Sequence, residues 1–317
     1  MSYLEIKKVN DTEYVSFVKK FSLMDRSFRI YEHIGKNIST LDSRDYLRRN
    51  LEALSMKEFE LRRPLIENLE IAYDDKLVFD IELMSIKINN LIEIKDCKEA
   101  ILTEFAKEFI FNSNNIEGSR IPAEEVKRII ESGNTRYQNT NEVREVYNSI
   151  DAMKYIEKGF KFNISSIKKL YYILTKDLLM QNGEPYPRGF KTVTNVVNNM
   201  ETVPPDKVIP RLNELLIRQK KNKLQTYPLK LAMDFHLTYE HIHPFLDGNG
   251  RTGRLIMNKV LISQKYFPMI VYSKNSRAYF NSISKGLIGN NKMKYYQFML
   301  EQVKKTYKNF ISIIENY

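Results

Sequence analysis

The chain has 317 residues, a formal charge of +11 and 43% hydrophobic residues, enough for one large or two ordinary domains with a sizeable core. Its single cysteine, Cys97, excludes an internal disulfide; no run of about 18 apolar residues occurs and the opening MSYLEIKKVND lacks an apolar stretch, so a cytoplasmic location without membrane insertion is expected. The basic excess favours acidic partners, yet its densest run, Arg218 to Lys223, reads as a solvated face and no nucleic-acid-binding motif accompanies it, so no specific nucleic acid is expected.

Glycine and proline are scarce, 11 and 10 in all, and apolar residues recur at helical spacing, which predicts an all-α fold. Residues 1–95 are predicted to be a helical region serving target recognition or bracing the helix that comes after it. Within them Ile81, Met84, Ile88 and Leu91 form one buried stripe. The pattern returns at Leu102, Phe105 and Phe109 and runs into Ser113-Asn114-Asn115-Ile116-Glu117-Gly118. Ser113 and Glu117 stand one helical turn apart and point the same way, and Gly118 is a natural helix end. Read alone, this is a capped surface turn. Another stripe, Ile150, Met153 and Ile156, ends at Gly159. Residues 189–203 break the helical pattern: Gly189, Phe190, Lys191, Thr192 and Val193 open a stretch rich in β-branched residues around Asn198-Asn199, which predicts a hairpin stopped by Pro204 and Pro205. Leu212, Leu215 and Leu216 then resume a helix.

The densest chemistry lies in HIHPFLDGNGRTGRLIMN, residues 241–258. Leu229, Ala232, Phe235 and Tyr239 form a stripe leading into it, and Pro244 is expected to push His243 out of the helix into an extended conformation. In Asp247-Gly248-Asn249-Gly250-Arg251 the glycines let the backbone approach a ligand, and the next helix offers free amides and a positive dipole end, an anion cradle. Arg251, Arg254 and Asn258 share a polar stripe, with Ile256, Val260 and Ile262 expected inward. Two guanidinium groups there suit a di- or triphosphate, and Asp247 offers a hard oxygen to its magnesium. A metal triad of His241, His243 and Asp247 is disfavoured, because the arginines would crowd a cation.

From His243 to Arg254 the twelve residues resemble, without a gap, the signature of Fic-domain nucleotidyl transferases, and the resemblance extends loosely over residues 100 to 305. It implies a Fic-fold helical bundle with a small β-hairpin flap: a Fic domain over 96–310, with the flap at 189–203 and 311–317 as the C-terminal end. Ser113 to Gly118 resembles the family's inhibitory motif, implying an inhibitory helix near 105–118. The implied activity is transfer of AMP from ATP, with Mg²⁺, to a Ser, Thr or Tyr hydroxyl of a target protein or of the chain itself, releasing pyrophosphate. His243 would be the base, and Asp247 would hold Mg²⁺. Gly248, Asn249, Gly250, Arg251 and Arg254 would hold the phosphates, and Gly189 to Val193 would bind the target by strand addition. Glu117 would silence the enzyme by pairing with Arg254. Tyr279 and Phe280 are the candidate base contacts; Leu287 stands where relatives often place Asn, with Asn290 as a substitute, and Lys191 stands where many carry Arg. Removal of AMP, use of another nucleotide, an inactive nucleotide sensor and a homodimer are compatible with the same residues.

Overall fold

In the computed structural model, residues 2–38, 41–180, 182–197, 200–288 and 291–317 are described. The first 36 correct the helical expectation. Strands β1 (Ser2–Val9), β2 (Thr12–Leu23) and β3 (Arg26–Lys36) form an antiparallel sheet in that order. Its two hairpin loops have two residues each, and Asn10 and Asp11 both take positive φ (50° and 61°), as a type I′ turn requires. Leu4, Phe17, Phe21, Ile30 and Ile34 alternate onto one face and pack on the neighbouring helices. This period of two is masked in the sequence by charged residues between the apolar ones and by turns built without glycine.

Helices α1 (Ser43–Arg49) and α2 (Leu51–Arg62) lead to α3 (Asp75–Lys95), where Ile81, Ile88 and Leu91 are buried as the stripe requires. Left-handed Asp96 ends α3 (φ 52°), and α4 (Lys98–Ile116) starts two residues later. Then come α5 (Ala123–Ser132), α6 (Thr140–Lys158), α7 (Ile164–Leu174), the strand pair β4 (Val196–Val197) and β5 (Met200–Glu201), α8 (Val208–Asn222), α9 (Pro228–Ile242), α10 (Asn249–Ser263), α11 (Ser276–Ile288) and α12 (Lys292–Asn316). Residues 311–316 belong to α12 and are not a separate C-terminal end; Phe310 and Ile314 are buried. One apolar core runs from α3 and α4 through α7, α9, α10 and α12. Among the described residues no helix is long and apolar enough to cross a membrane.

A buried ionic cluster joins the first helices to this body. Glu82, fully buried on α3, accepts hydrogen bonds from Arg62 Nη1 at 2.7 Å, Tyr227 at 2.8 Å and Tyr266 at 2.7 Å. Arg62 also pairs with Glu58, which pairs with Lys19 of β2. Removing any member would strand a charge in the interior, so the cluster fixes how sheet, α2 and α3 dock.

Candidate active site

His243 comes after the last turn of α9, its N–H donating to the Tyr239 carbonyl at 2.9 Å. Its backbone is left-handed (φ 48°), not extended as expected: Pro244 denies it the α region, and keeping the final helical hydrogen bond selects the C-cap geometry. The imidazole is largely buried. Nδ1 has no hydrogen-bond partner and lies 3.9 Å from Glu240 Oε2. Burial, then the Lys191 ammonium, pushes its pKa down to about 4, so the ring is neutral and basic at pH 7. Behind it, Glu240 is buried, with its pKa pushed up to about 7 by that burial. The sign of the His243 shift makes a prediction. Between pH 7 and 5.5 an unperturbed histidine would lose roughly 90% of its base form, whereas His243 keeps nearly all of it, so the transfer rate should stay within about twofold. An acid limb near 6.5 that persists in Glu240→Gln, where the neighbouring carboxyl no longer titrates, would contradict the shift.

The loop after His243 is held by its own side chains. Asn249 Nδ2 donates to the Phe245 carbonyl at 2.8 Å and its Oδ1 accepts from the Phe245 N–H at 2.9 Å. The Asn249 side chain is therefore an internal clamp, and only its amide is available to a phosphate. Phe245 stacks on Tyr171 with ring centroids 3.8 Å apart. Gly248 caps α10 with φ 78°, and the amides of residues 249–251 open the helix without intrahelical partners. Asp247 sits at this mouth, accepting from the Gly248 N–H and from the Tyr186 hydroxyl at 3.0 Å.

Both arginines are buried and both are engaged. Arg251 Nη1 meets Glu145 of α6 at 2.9 Å, and its Nη2 donates to the Tyr186 hydroxyl at 3.2 Å. Arg254 donates through Nε to Ser113 Oγ at 3.1 Å, and through Nη2 to the Ser113 carbonyl at 2.9 Å and to Glu117 Oε1 at 2.7 Å. Among the described residues its Nη1 has no hydrogen-bond partner. The structure thus brings Ser113 and Glu117 together on Arg254, as their spacing predicts. Glu117 caps α4, and Gly118 turns the chain away with φ 103°. The Glu117 carboxylate also rests on α10: a Cβ added at Gly250 would lie 2.3 Å from its Oε1. An anion already occupies the cradle, and it belongs to the chain.

Elsewhere the sequence expectations change. Tyr279, a candidate base contact, is instead buried beneath Arg254, its hydroxyl 3.0 Å from His236 Nε2, and Phe280 packs half-buried 5.2 Å from it. The aromatic pair suggests a cavity wall, but the apolar stripe that carries Tyr279 faces the core. His236, with no exposed surface and its pKa pushed down to about 3 by burial, is a neutral structural residue. His241 lies at the surface, and among the described residues no group of three potential ligands could hold a metal. Asn258 is turned inward, bonded to the Met269 backbone, while Ile262 faces outward. Asn290 and the Asn198-Asn199 turn lie outside the described residues.

The flap strands are shorter than predicted, pairing only Val196 with Glu201 and Val197 with Met200. Residues 189–195 are anchored by side chains instead. Phe190 packs on Phe245, and the Lys191 N–H donates to the Pro244 carbonyl at 2.9 Å. The buried Lys191 ammonium donates to Asn195 Oδ1, to Thr202 Oγ1 and to the Ile242 carbonyl. It ties both arms of the flap to the end of α9, beside His243, and Thr192 and Val193 are exposed. Lys191→Met would take the side-chain donor from the Ile242 carbonyl and cut the tie between flap and α9, while Thr202 and Asn195 keep each other, an expected loss of roughly 1 kcal/mol, read as a lower Tm in thermal denaturation.

Glu145, Tyr186 and Glu240 were not anticipated. For Glu145 a signal existed: it shares an inward helical face with Ser149, Ala152 and Ile156, a place where a carboxylate needs a cation.

Residues 161–261, which hold the flap and the loop from His243 to Arg254, match the model of the Fic/DOC family. That stretch is similar to a Fic domain. Curated relatives of the chain include "Protein adenylyltransferase Fic" of Drosophila mojavensis, 29% identical over 211 residues, which cover 62% of this chain and 39% of the relative. The protein of the same name from Drosophila grimshawi is 25% identical over 289 residues, 87% of this chain and 57% of the relative. The chain thus spans about half the length of the curated relatives it matches. Among solved structures, a Fic domain containing signaling protein from Bacteroides thetaiotaomicron superposes with a TM-score of 0.65 at 19% identity, covering 75% of this chain and 97% of that one. Fic-1 of C. elegans superposes with a TM-score of 0.63 at 19% identity, covering 83% and 77%. Ser113 and Glu117 lie outside the residues that the family model matches.

Proposed function

We propose that the chain is a protein adenylyltransferase that transfers AMP from ATP to a Ser, Thr or Tyr hydroxyl and is held silent by Glu117. The observation carrying this reading is that one loop and helix start, residues 243–254, supply a neutral His243, the free first-turn amides of α10 and the paired Arg251 and Arg254. The names of the curated relatives support it.

In the reaction, the target hydroxyl oxygen attacks the α-phosphorus of ATP, its proton passes to His243, and the bond to the β-phosphate oxygen breaks to release pyrophosphate. Nδ1 of His243 lies towards Glu240, which leaves Nε2 to take the proton. Amides at the start of α10 face the charge that develops on the α-phosphoryl oxygens, while Arg251 and Arg254 receive the departing pyrophosphate. The lone carboxylate of Asp247 fits Mg²⁺, which takes one or two carboxylates and fills its remaining positions with phosphate and water. Bound there, the ion would neutralise phosphate charge. The exposed backbone around Thr192 and Val193 would take the target as an added strand, which leaves side-chain selectivity to other surfaces.

Mg²⁺ and ATP labelled at the α-phosphate, incubated with wild type and with Glu117→Gly in a cell lysate, test the assignment. Label transferred to protein with an AMP-sized mass gain is the expected result. Transfer from ATP labelled only at the γ-phosphate would make the enzyme a kinase instead.

A further inference from the structure

The two faces of the N-terminal sheet differ in chemistry. One is packed on α1 and α2. On the other, the register aligns Tyr3, Val18 and Tyr31 across the three strands and sets Tyr14 opposite Lys36. Val18 and Ser16 are buried between the flanking rings, with Ser16 Oγ donating to the Tyr31 hydroxyl at 2.8 Å. Each tyrosine carries a cation over its ring: Lys20 Nζ lies 5.6 Å from the Tyr3 centroid, the Arg29 guanidinium 5.1 Å from Tyr31, and Lys36 Nζ 5.3 Å from Tyr14. Lys7 stands exposed on the same face. Among the described residues the strands of this face carry one carboxylate, Glu5, which bridges Arg29 at 2.9 Å and Lys7 at 3.5 Å.

We propose that this face binds duplex DNA through its phosphates. Charge complementarity names a polyanion. The tyrosine rings are already covered by cations, so they hold ammonium and guanidinium groups in place and are not open platforms for unpaired bases, which argues against a single strand. Three strands spaced about 4.8 Å apart spread these cations roughly 10 Å across the face, a span that suits phosphates on the two sides of the ~12 Å major groove of B-form DNA. The narrow major groove of A-form RNA sets its phosphates closer together than these cations stand. Cations pinned on rings also lose less side-chain freedom on binding than free lysines do.

The test uses the full chain and fluorescence anisotropy with a labelled 20-base-pair DNA duplex, the same sequence as a single strand, and an RNA duplex. Duplex DNA should bind tightest. With three phosphates neutralised, raising salt from 50 to 200 mM should weaken binding roughly 40-fold. Lys20→Glu with Arg29→Glu should weaken binding by about tenfold or more, whereas Lys220→Glu with Lys221→Glu on α8, an equal change in net charge, should shift it by less than about threefold. Lys7→Gln with Lys36→Gln, folded by circular dichroism, should act in the same direction as the sheet pair. Tighter binding of the single strand or of RNA, no binding of any probe at 50 mM salt, or equal loss in the sheet and α8 variants would each overturn the proposal. The last result would reduce the effect to overall charge, and the first two would leave the face to a different class of partner.

Discussion

Replacing Glu117 by glycine is expected to raise the rate of AMP transfer roughly 10- to 100-fold. The range comes from the worth of a hydrogen bond between charged groups, about 1.5–3 kcal/mol, which the empty protein makes and the nucleotide must displace. Two effects of the carboxylate combine. It takes Nη2 of Arg254, and it fills the space over Gly250 at the start of α10, where a Cβ would meet Oε1 at 2.3 Å. A triphosphate entering with Glu117 in place meets both a like charge and an occupied cradle, so its α-phosphate sits away from the line of attack. Glycine suits the position, since Glu117 only caps α4 and Gly118 already makes the turn. The measurement is the initial rate of labelling from α-labelled ATP, alongside the affinity for ATP. An unchanged rate with unchanged affinity would show that Glu117 is a structural cap and no brake.

Within the Glu117→Gly background, His243→Ala should lower transfer by about 10²- to 10⁴-fold, the usual contribution of a positioned general base. Affinity for ATP should hardly move, because the phosphate groups are assigned to α10 and the two arginines. The split is informative. His243 caps α9 in a left-handed backbone, so alanine there also carries backbone strain. His243→Asn, which tolerates that conformation better, separates the two contributions: equal loss of transfer in both variants with intact folding assigns the effect to the imidazole. Full activity in His243→Asn would remove His243 from the chemistry.

The core of the site was legible in the sequence because its chemistry is contiguous. Twelve residues from His243 to Arg254 hold the imidazole, the cradle and both guanidinium groups, and a turn of helix sets Ser113 and Glu117 on one side. What could not be read came from distance in the chain. Glu145 reaches Arg251 across 106 positions, and Tyr186 reaches Asp247 across 61, so no local spacing records either contact. The N-terminal sheet was missed for another reason. Asn10-Asp11 makes its turn without glycine, and the alternation is apolar against charged, with Lys and Glu in strands where they are ordinarily depleted. Tyr279 shows the converse error, an aromatic read as a ligand contact that the core claims for Arg254 and His236.

Because α4 belongs to the same polypeptide as the loop it covers, Glu117 meets Arg254 at a local concentration set by the fold and not by how much protein a cell holds. With that contact as the proposed brake, dilution would not free the site, and making more of the chain would add silent copies in fixed proportion. Activity would then respond only to something that competes at that spot or pulls on α4, and the helix is anchored at its start by the left-handed turn at Asp96 and, through α3, by the Glu82 cluster. Control of the proposed transfer would be a matter of leverage on one helix, independent of dose.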